Sequence, residues 1–582
     1  MISLLEDYKL RKTFWILLLG LTATILLYPV SISPNYPLPV QSIYIFSNFA
    51  LFLVLFYAWM LLLLTLLFSR RENMMEKLAI SLVFAIVFVE FWAFISPWGG
   101  TGDAIWQMAH VHYLSQEGNI PLSGHPNFGY FDFPGLQLLA LCLANVCDMQ
   151  IFAIQTAFLL MNVAIFALLV FTNFLNILKS PFYASLGVIL MIVGSTAGLG
   201  RINYFHPMVL AITFLSFFSL MLSRIKDKLI QSWRENLILV ILFAAATIEY
   251  LFTPFLFFFI ILGIYALYYF RREKAPVNSF TLVVPAIFII SWEIYQTVRS
   301  FNTIVSLWPK ILEDLLGGRF FIATSQTLTA NVGLAYPWWG NATRLFWWSF
   351  IFGFGTFLIL WKLLNFRKCE HSEGVQLGAF LGVLLTVLVG VMGTRGAIHG
   401  GIARYLWVAP FFLVPTLIMF FSRIKVKKYA FTFIFASLLI FSLPTFLTNM
   451  DTFCAVHIYS RELQTGMFIN SIYERGNGVN LYSYSPVLQF ATFYAPESHI
   501  ITGPEAYGLE EEEMWSAFYG IMDRFHNPFR SPNLFVNSIK AKLQYWEYQK
   551  VSPDDPKWAK LDESLLQNNK VYENGLIQLY SP

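Results

Sequence analysis

Apolar stretches close to 20 residues long recur along most of the chain, and Lys or Arg close many of them on one side only. A helix needs about 20 apolar residues to cross a bilayer. Candidate spans are Thr13–Val30, Ser42–Phe68, Leu78–Ile95, Ile151–Leu178, Phe182–Leu199, Pro207–Leu222, Leu237–Thr247, Phe252–Phe270, Phe280–Val298, Leu345–Leu364, Gln376–Met392, Ile402–Phe421 and Tyr429–Thr445. The 582 residues are 57% apolar and only 12% charged, against roughly 25% charged in a soluble domain. Such a chain cannot clothe a globule in water-compatible surface. Four cysteines, with no clustered spacing, provide neither a disulfide framework nor a metal knuckle. The chain reads as an all-α polytopic membrane protein of about 13 transmembrane helices with an added C-terminal α/β domain.

Orientation follows from the basic residues, which favour the cytoplasmic side. Lys9, Arg11 and Lys12 place the N-terminus inside, and the first apolar run reads as a retained anchor. Arg70, Arg71 and Lys77, then Arg224, Lys226, Lys228 and Arg234, mark further inner linkers, as do Arg271, Arg272 and Lys274. Arg423, Lys425, Lys427 and Lys428 close the series. Gly135–Val146 is apolar too, but twelve helical residues reach about 18 Å, short of a core about 30 Å thick. Were it to span, every later basic cluster would be inverted. It is therefore expected along the outer surface or re-entrant, and the stretch around Glu249 and Pro254 as a tight hairpin.

Three parts result: residues 1–77 with two spans, 78–447 with the remaining spans and the outer loop 96–150, and an extracytoplasmic domain over 448–582. Up to Leu447 there are 28 Lys and Arg against 18 Asp and Glu, and the rest has 10 against 16. A basic membrane region thus carries an acidic tail. The basic excess suits inner linkers and does not point to nucleic acid. In the tail Val479–Tyr484, His499–Thr502, Lys570–Tyr572 and Gly575–Tyr580 read as short strands, and Glu510–Asp523 as a helix whose acidic start is solvated. Inner linkers are short, so chemistry belongs on the outer face of an integral, plasma-membrane protein.

The outer loop 96–150 opens Ser96-Pro97-Trp98-Gly99-Gly100-Thr101-Gly102-Asp103. On a helix, Asp103, Gln107 and His110 share one face at i, i+4 and i+7. A carboxylate there can take a proton from a hydroxyl or hold a cation, and it can equally be a plain helix cap. Arg201, Arg395 and Arg404 are among seven outward basic residues before the tail, where a guanidinium would fork onto a phosphate or anchor to headgroups. Glu249 and Glu293 are costly if buried in the membrane. Asp103, His110 and His206 are the candidate ligands for a divalent cation, with no established zinc spacing among them. Asn341-Ala342-Thr343 is a glycosylation sequon expected to be unused, because it abuts a span.

A lone Asp in the first large outer loop, just after a membrane helix, resembles the hallmark of the GT-C superfamily of lipid-phosphate-sugar glycosyltransferases. Tyr130-Phe131-Asp132-Phe133-Pro134-Gly135 is similar to that superfamily's proline-led entry to a juxtamembrane helix. Arg404-Tyr405 with Pro410 looks like the Arg-Tyr…Pro pattern of protein O-mannosyltransferase-like and aminoarabinose-transferase-like members. The sequence departs in having Phe133-Pro134-Gly135 where many relatives have Pro-Pro. Trp338-Trp339-Gly340 is not the Trp-Trp-Asp-Tyr-Gly motif of oligosaccharyltransferases. The resemblance implies an inverting transferase with a polyprenyl-phosphate or dolichyl-phosphate sugar donor and a protein, glycan or lipid acceptor, working amid membrane lipids. It makes Asp103 the base and Arg404, with Arg395 or Arg201, the phosphate clamp. Gln107, His110, Tyr130, Asp132, His206, Glu249 and Tyr405 are expected to line the substrate cavity. The competing class, a transporter or lipid flippase, would place polar groups near the midplane on broken helices in repeated halves. No repeat is visible.

Overall fold

The computed structural model describes residues 8–31, 49–69, 73–95, 102–120, 134–149, 151–194, 206–224, 233–250, 252–276, 280–295, 338–365, 371–393, 408–423, 427–448, 460–472, 480–484, 499–502, 511–526, 533–538, 555–573 and 577–581. Its membrane part comprises α1 (Tyr8–Ser31), α2 (Phe49–Leu67), α3 (Met74–Ile95), α4 (Gly102–Glu117), α5 (Gly135–Cys147), α6 (Ile151–Leu178), α7 (Pro181–Gly194) and α8 (Pro207–Arg224). Then follow α9 (Trp233–Glu249), α10 (Phe252–Arg271), α11 (Phe280–Tyr295), α12 (Trp338–Trp347), a π-helical turn over Trp348–Phe354, and α13 (Gly355–Leu364). Helices α14 (His371–Gly393), α15 (Pro410–Arg423) and α16 (Lys427–Thr448) complete it. Over their described residues, the thirteen apolar segments read from the sequence are helical. Among the described residues six helices are long and apolar enough to cross a membrane.

Apolar packing runs through all of this part. Phe52, Phe56, Trp59, Phe84, Phe88 and Phe446 bring α2, α3 and α16 together, with Phe84 and Phe88 stacked at 4.9 Å. The closest approach is between α10 and α14. A Cβ on Gly263 would stand 2.8 Å from Gly382 Cα, and one on Gly378 would stand 2.6 Å from Ile264 Cα. Only glycine lets two backbones meet so closely. Near the start of α3, Lys77 is fully buried and donates to the carbonyls of Leu66 (3.0 Å), Leu67 (2.6 Å) and Ser69 (3.3 Å). A cation thus satisfies the unpaired carbonyls that end α2. Arg11 pairs with Glu76, which also accepts from Trp15 Nε1 at 3.2 Å, tying α1 to α3.

The tail begins with α17 (Ser460–Ile472) and forms a sheet of β1 (Asn480–Ser483), β2 (His499–Thr502), β3 (Asn533–Ser538), β4 (Asn569–Glu573) and β5 (Ile577–Ser581). Its order is β2-β1-β3-β5-β4, parallel across β2-β1-β3 and antiparallel across β3-β5-β4. Helices α18 (Glu511–His526) and α19 (Pro556–Leu566) cover one face through Tyr482, Tyr484, Phe535 and Tyr580, which meet Trp515, Phe518 and Trp558. The reading of the tail as mixed strands and helices located four strands. It missed β3, the central one. Leu534-Phe535-Val536 is only three apolar residues long, too short a run to read as a strand by alternation, yet two strands pair with it. The acidic start of α18 falls at Glu511, and Glu512 is exposed, as expected.

Candidate functional site

Helix α4 starts at Gly102, directly after the glycine-rich run, so Asp103 falls inside its first turn rather than before it. The positive end of the helix dipole favours a carboxylate there. The Asp103 side chain lies outside the described residues, as do Arg201, Arg395, Arg404, Tyr405, Tyr130 and Asp132 altogether. Glu293 lies on α11 and Arg344 on α12, and their side chains are likewise outside.

Along α4 the expected polar face is packed rather than open. Gln107 and His110 are fully buried, and Met108, Ala109 and Val111 beside them are at most 1% exposed. Gln137 of α5, also fully buried, donates through Nε2 to Gln107 Oε1. The bond supplies the Gln107 carbonyl with a donor where water is excluded. Helix α5 presents Leu136, Gln137, Ala140 and Ala144 inward and leaves Leu138, Leu139 and Val146 exposed. Its 13 residues reach about 20 Å at 1.5 Å per residue, less than a bilayer core. Cys142 and Cys147 are exposed on it.

Glu249 ends α9 and is 1% exposed. Across from it is Gly135, the first residue of α5, where a Cβ would overlap the Glu249 carboxylate and lie 3.0 Å from Glu249 Cα. The carboxylate Oε1 has no hydrogen-bond partner among the described residues, nor has the hydroxyl of Thr253 one turn further on. Pro134 precedes α5 without a side-chain cap.

His206 is 3% exposed, and its Nδ1 accepts the Met208 N–H at 3.1 Å, starting α8. That bond makes Nδ1 an acceptor for the first turn of α8. Among the described residues no three His, Cys, Asp or Glu side chains gather as a metal site. The sequon lies within α12, with Thr343 buried.

The structure therefore brings Gln107 and Gln137 together, and Glu249 with Gly135, around α5, with His110 buried one turn along α4. Gln137 and Gly135 were not singled out from sequence. Both lie on the helix after Pro134, but which α5 residues face α4 and which face α9 is set by packing.

No protein-family model matches the chain, and no curated protein matches it. Solved structures do. The archaeal oligosaccharyltransferase AglB from Archaeoglobus fulgidus, determined with an inhibitory peptide and a dolichol-phosphate, is 12% identical. It covers 87% of this chain and 74% of its own, with a TM-score of 0.50. ArnT from Cupriavidus metallidurans, determined with undecaprenyl phosphate, is 10% identical and covers 87% of this chain and 97% of its own at a TM-score of 0.47. With identities this low the likeness concerns fold. The chain is an integral membrane protein whose fold is similar to that of AglB.

Proposed function

We propose that the chain is an inverting membrane glycosyltransferase that moves a sugar from a polyprenyl-phosphate donor to an acceptor on the outer face. The observation that carries this reading is the start of α4: a helix opening at Gly102 sets Asp103 in its first turn, beside the juxtamembrane helix α5, in a chain whose fold is similar to that of AglB. That AglB binds a dolichol-phosphate and ArnT an undecaprenyl phosphate supports a lipid-linked donor. In this reading the chain crosses the membrane thirteen times, with the N-terminus cytoplasmic and the tail outside.

The acceptor hydroxyl attacks the anomeric carbon as the bond from that carbon to the phosphate oxygen breaks. Asp103 takes the hydroxyl proton, and the polyprenyl phosphate leaves with the bonding pair. Arg404, with Arg395 or Arg201, meets the charge that grows on the phosphate. Protein, glycan and lipid hydroxyls all fit the chemistry. A divalent cation held by Asp103 would assist the same step. Nothing observed favours the transporter or flippase reading.

Transfer from a polyprenyl-phosphate sugar by the purified chain in liposomes tests the proposal. Asp103→Asn should lower turnover by about 10² to 10⁴ with expression and fold intact, since the amide keeps the shape but accepts no proton. Asn serves a helix start about as well as Asp, so near-wild-type turnover would reduce Asp103 to a structural residue. Arrest of the wild type by a chelator would assign it to a metal instead.

A further inference from the structure

The tail sheet has two apolar faces. One is sealed by α18 and α19. The other consists of Leu481 on β1, Leu534 and Val536 on β3, and Ile577 and Leu579 on β5, each at most 1% exposed. Strand alternation sends these residues to one side while Tyr482, Phe535 and Tyr580 go to the other. Helix α17 contributes Ile469 and Phe468 to this second side, and Phe468 stacks on Tyr572 of β4 at 4.4 Å.

These residues do not form a core of their own. They belong to the same continuous apolar cluster as Met108, Val111 and Leu114 of α4, Leu136 and Ala140 of α5, and Val209 of α8. That cluster is separate from the one that fills the helices of the membrane part. Helix α4 and this face of the tail sheet thus belong to one continuous apolar cluster, which also takes in α5, α6 and α8.

We infer that this face of the tail sheet positions α4, so that Val536 and Leu579 act through it on the placement of Asp103. The catalytic part of the inference rests on the reading of Asp103 as the base. Asp103 is one turn before Gln107, about 6 Å along the axis, so a tilt of the buried segment moves its carboxylate. A displacement near 1 Å at a reacting group can cost about 10² in rate. The tail would then be a working part of the transferase and not an appendage.

The test uses the full chain in detergent or liposomes, with Val536→Asp, the milder Leu579→Ala, and Lys570→Ala on the exposed edge as control. Amide hydrogen exchange over residues 107–114 is read first, since it needs no substrate. Both inner-face variants should exchange there about 10-fold faster or more, with the control unchanged. Turnover should fall about 10² in Val536→Asp with KM for the lipid donor within about twofold. Unchanged exchange over 107–114, while β3 and β5 themselves exchange faster, would overturn the inference. If Val536→Asp does not fold, Leu579→Ala carries the test alone. Faster exchange in a chain whose wild type transfers no sugar would uphold the positioning and sink the transferase reading.

Discussion

Gly135 and Glu249 show how a single missing methyl group decides an interface. Helix α5 approaches the end of α9 so closely that a Cβ at position 135 would overlap the Glu249 carboxylate. Gly135→Ala should lower thermal stability by about 1–3 kcal/mol, the usual cost of overpacking. Combining it with Glu249→Ala should recover most of that loss, because the second change removes the atoms in collision. Thermal unfolding of the two single variants and the double variant gives the coupling directly, and a neutral Gly135→Ala would mean that α5 does not seat there. A second residue-scale prediction concerns Tyr484 in the tail. Burial, reinforced by the charges of Asp562 and Tyr519, pushes its phenol well above the ordinary range. An unfolded tyrosine ionises near 10. The stability that comes from keeping the phenol neutral is thus complete below pH 10 and is lost as pH rises above it. Tyr484→Phe should move alkaline unfolding of the tail to higher pH, monitored by circular dichroism.

At the scale of elements, α10 and α14 depend on Gly263, Gly378 and Gly382 at their crossing. Gly374, Gly378 and Gly382 recur every four residues and so fall on one stripe of α14. Gly382→Val should cost about 3 kcal/mol or prevent folding, since backbone rather than a movable side chain blocks the new atoms. Detergent-solubilised yield and unfolding temperature would check this, and a silent variant would separate the two helices. Helix α3 illustrates what was legible at this scale. Its apolar run marked a span, and Arg70, Arg71 and Lys77 marked an inner side. That Lys77 turns inward to end α2 was not visible, because its partners are main-chain carbonyls that carry no sequence signature. The strand β3 escaped for a related reason: a central strand is defined by neighbours on both sides.

For the whole molecule, the proposed arrangement of thirteen crossings predicts a labelling pattern. Cysteines introduced at Ser123 and Ser485 should react with an impermeant thiol reagent from outside, and one at Ser180 should be protected. Controls are needed for Cys142 and Cys147, which are exposed on α5. Outside labelling at Ser180, just before α7, would invert the scheme and bring α5 back as a crossing. The same arrangement puts the tail on the side of the outer loop 96–150, which agrees with the apolar cluster the two share.

The sequence by itself determined that this chain lives in a membrane, where its apolar helices lie, and that the last part differs in kind. Those properties are local, since hydropathy and charge act on each segment before it meets another. It also drew attention to Asp103, Gln107, His110, His206 and Glu249, because polar groups are conspicuous among apolar ones. Tertiary structure alone decided their surroundings. It buried Gln107 against Gln137, used a His206 nitrogen to start α8, and set Glu249 on a glycine. It also joined a face of the tail sheet to α4 across more than 350 residues of sequence. Which side chain meets which depends on helix crossings and strand order, and those are settled only when the whole chain has packed.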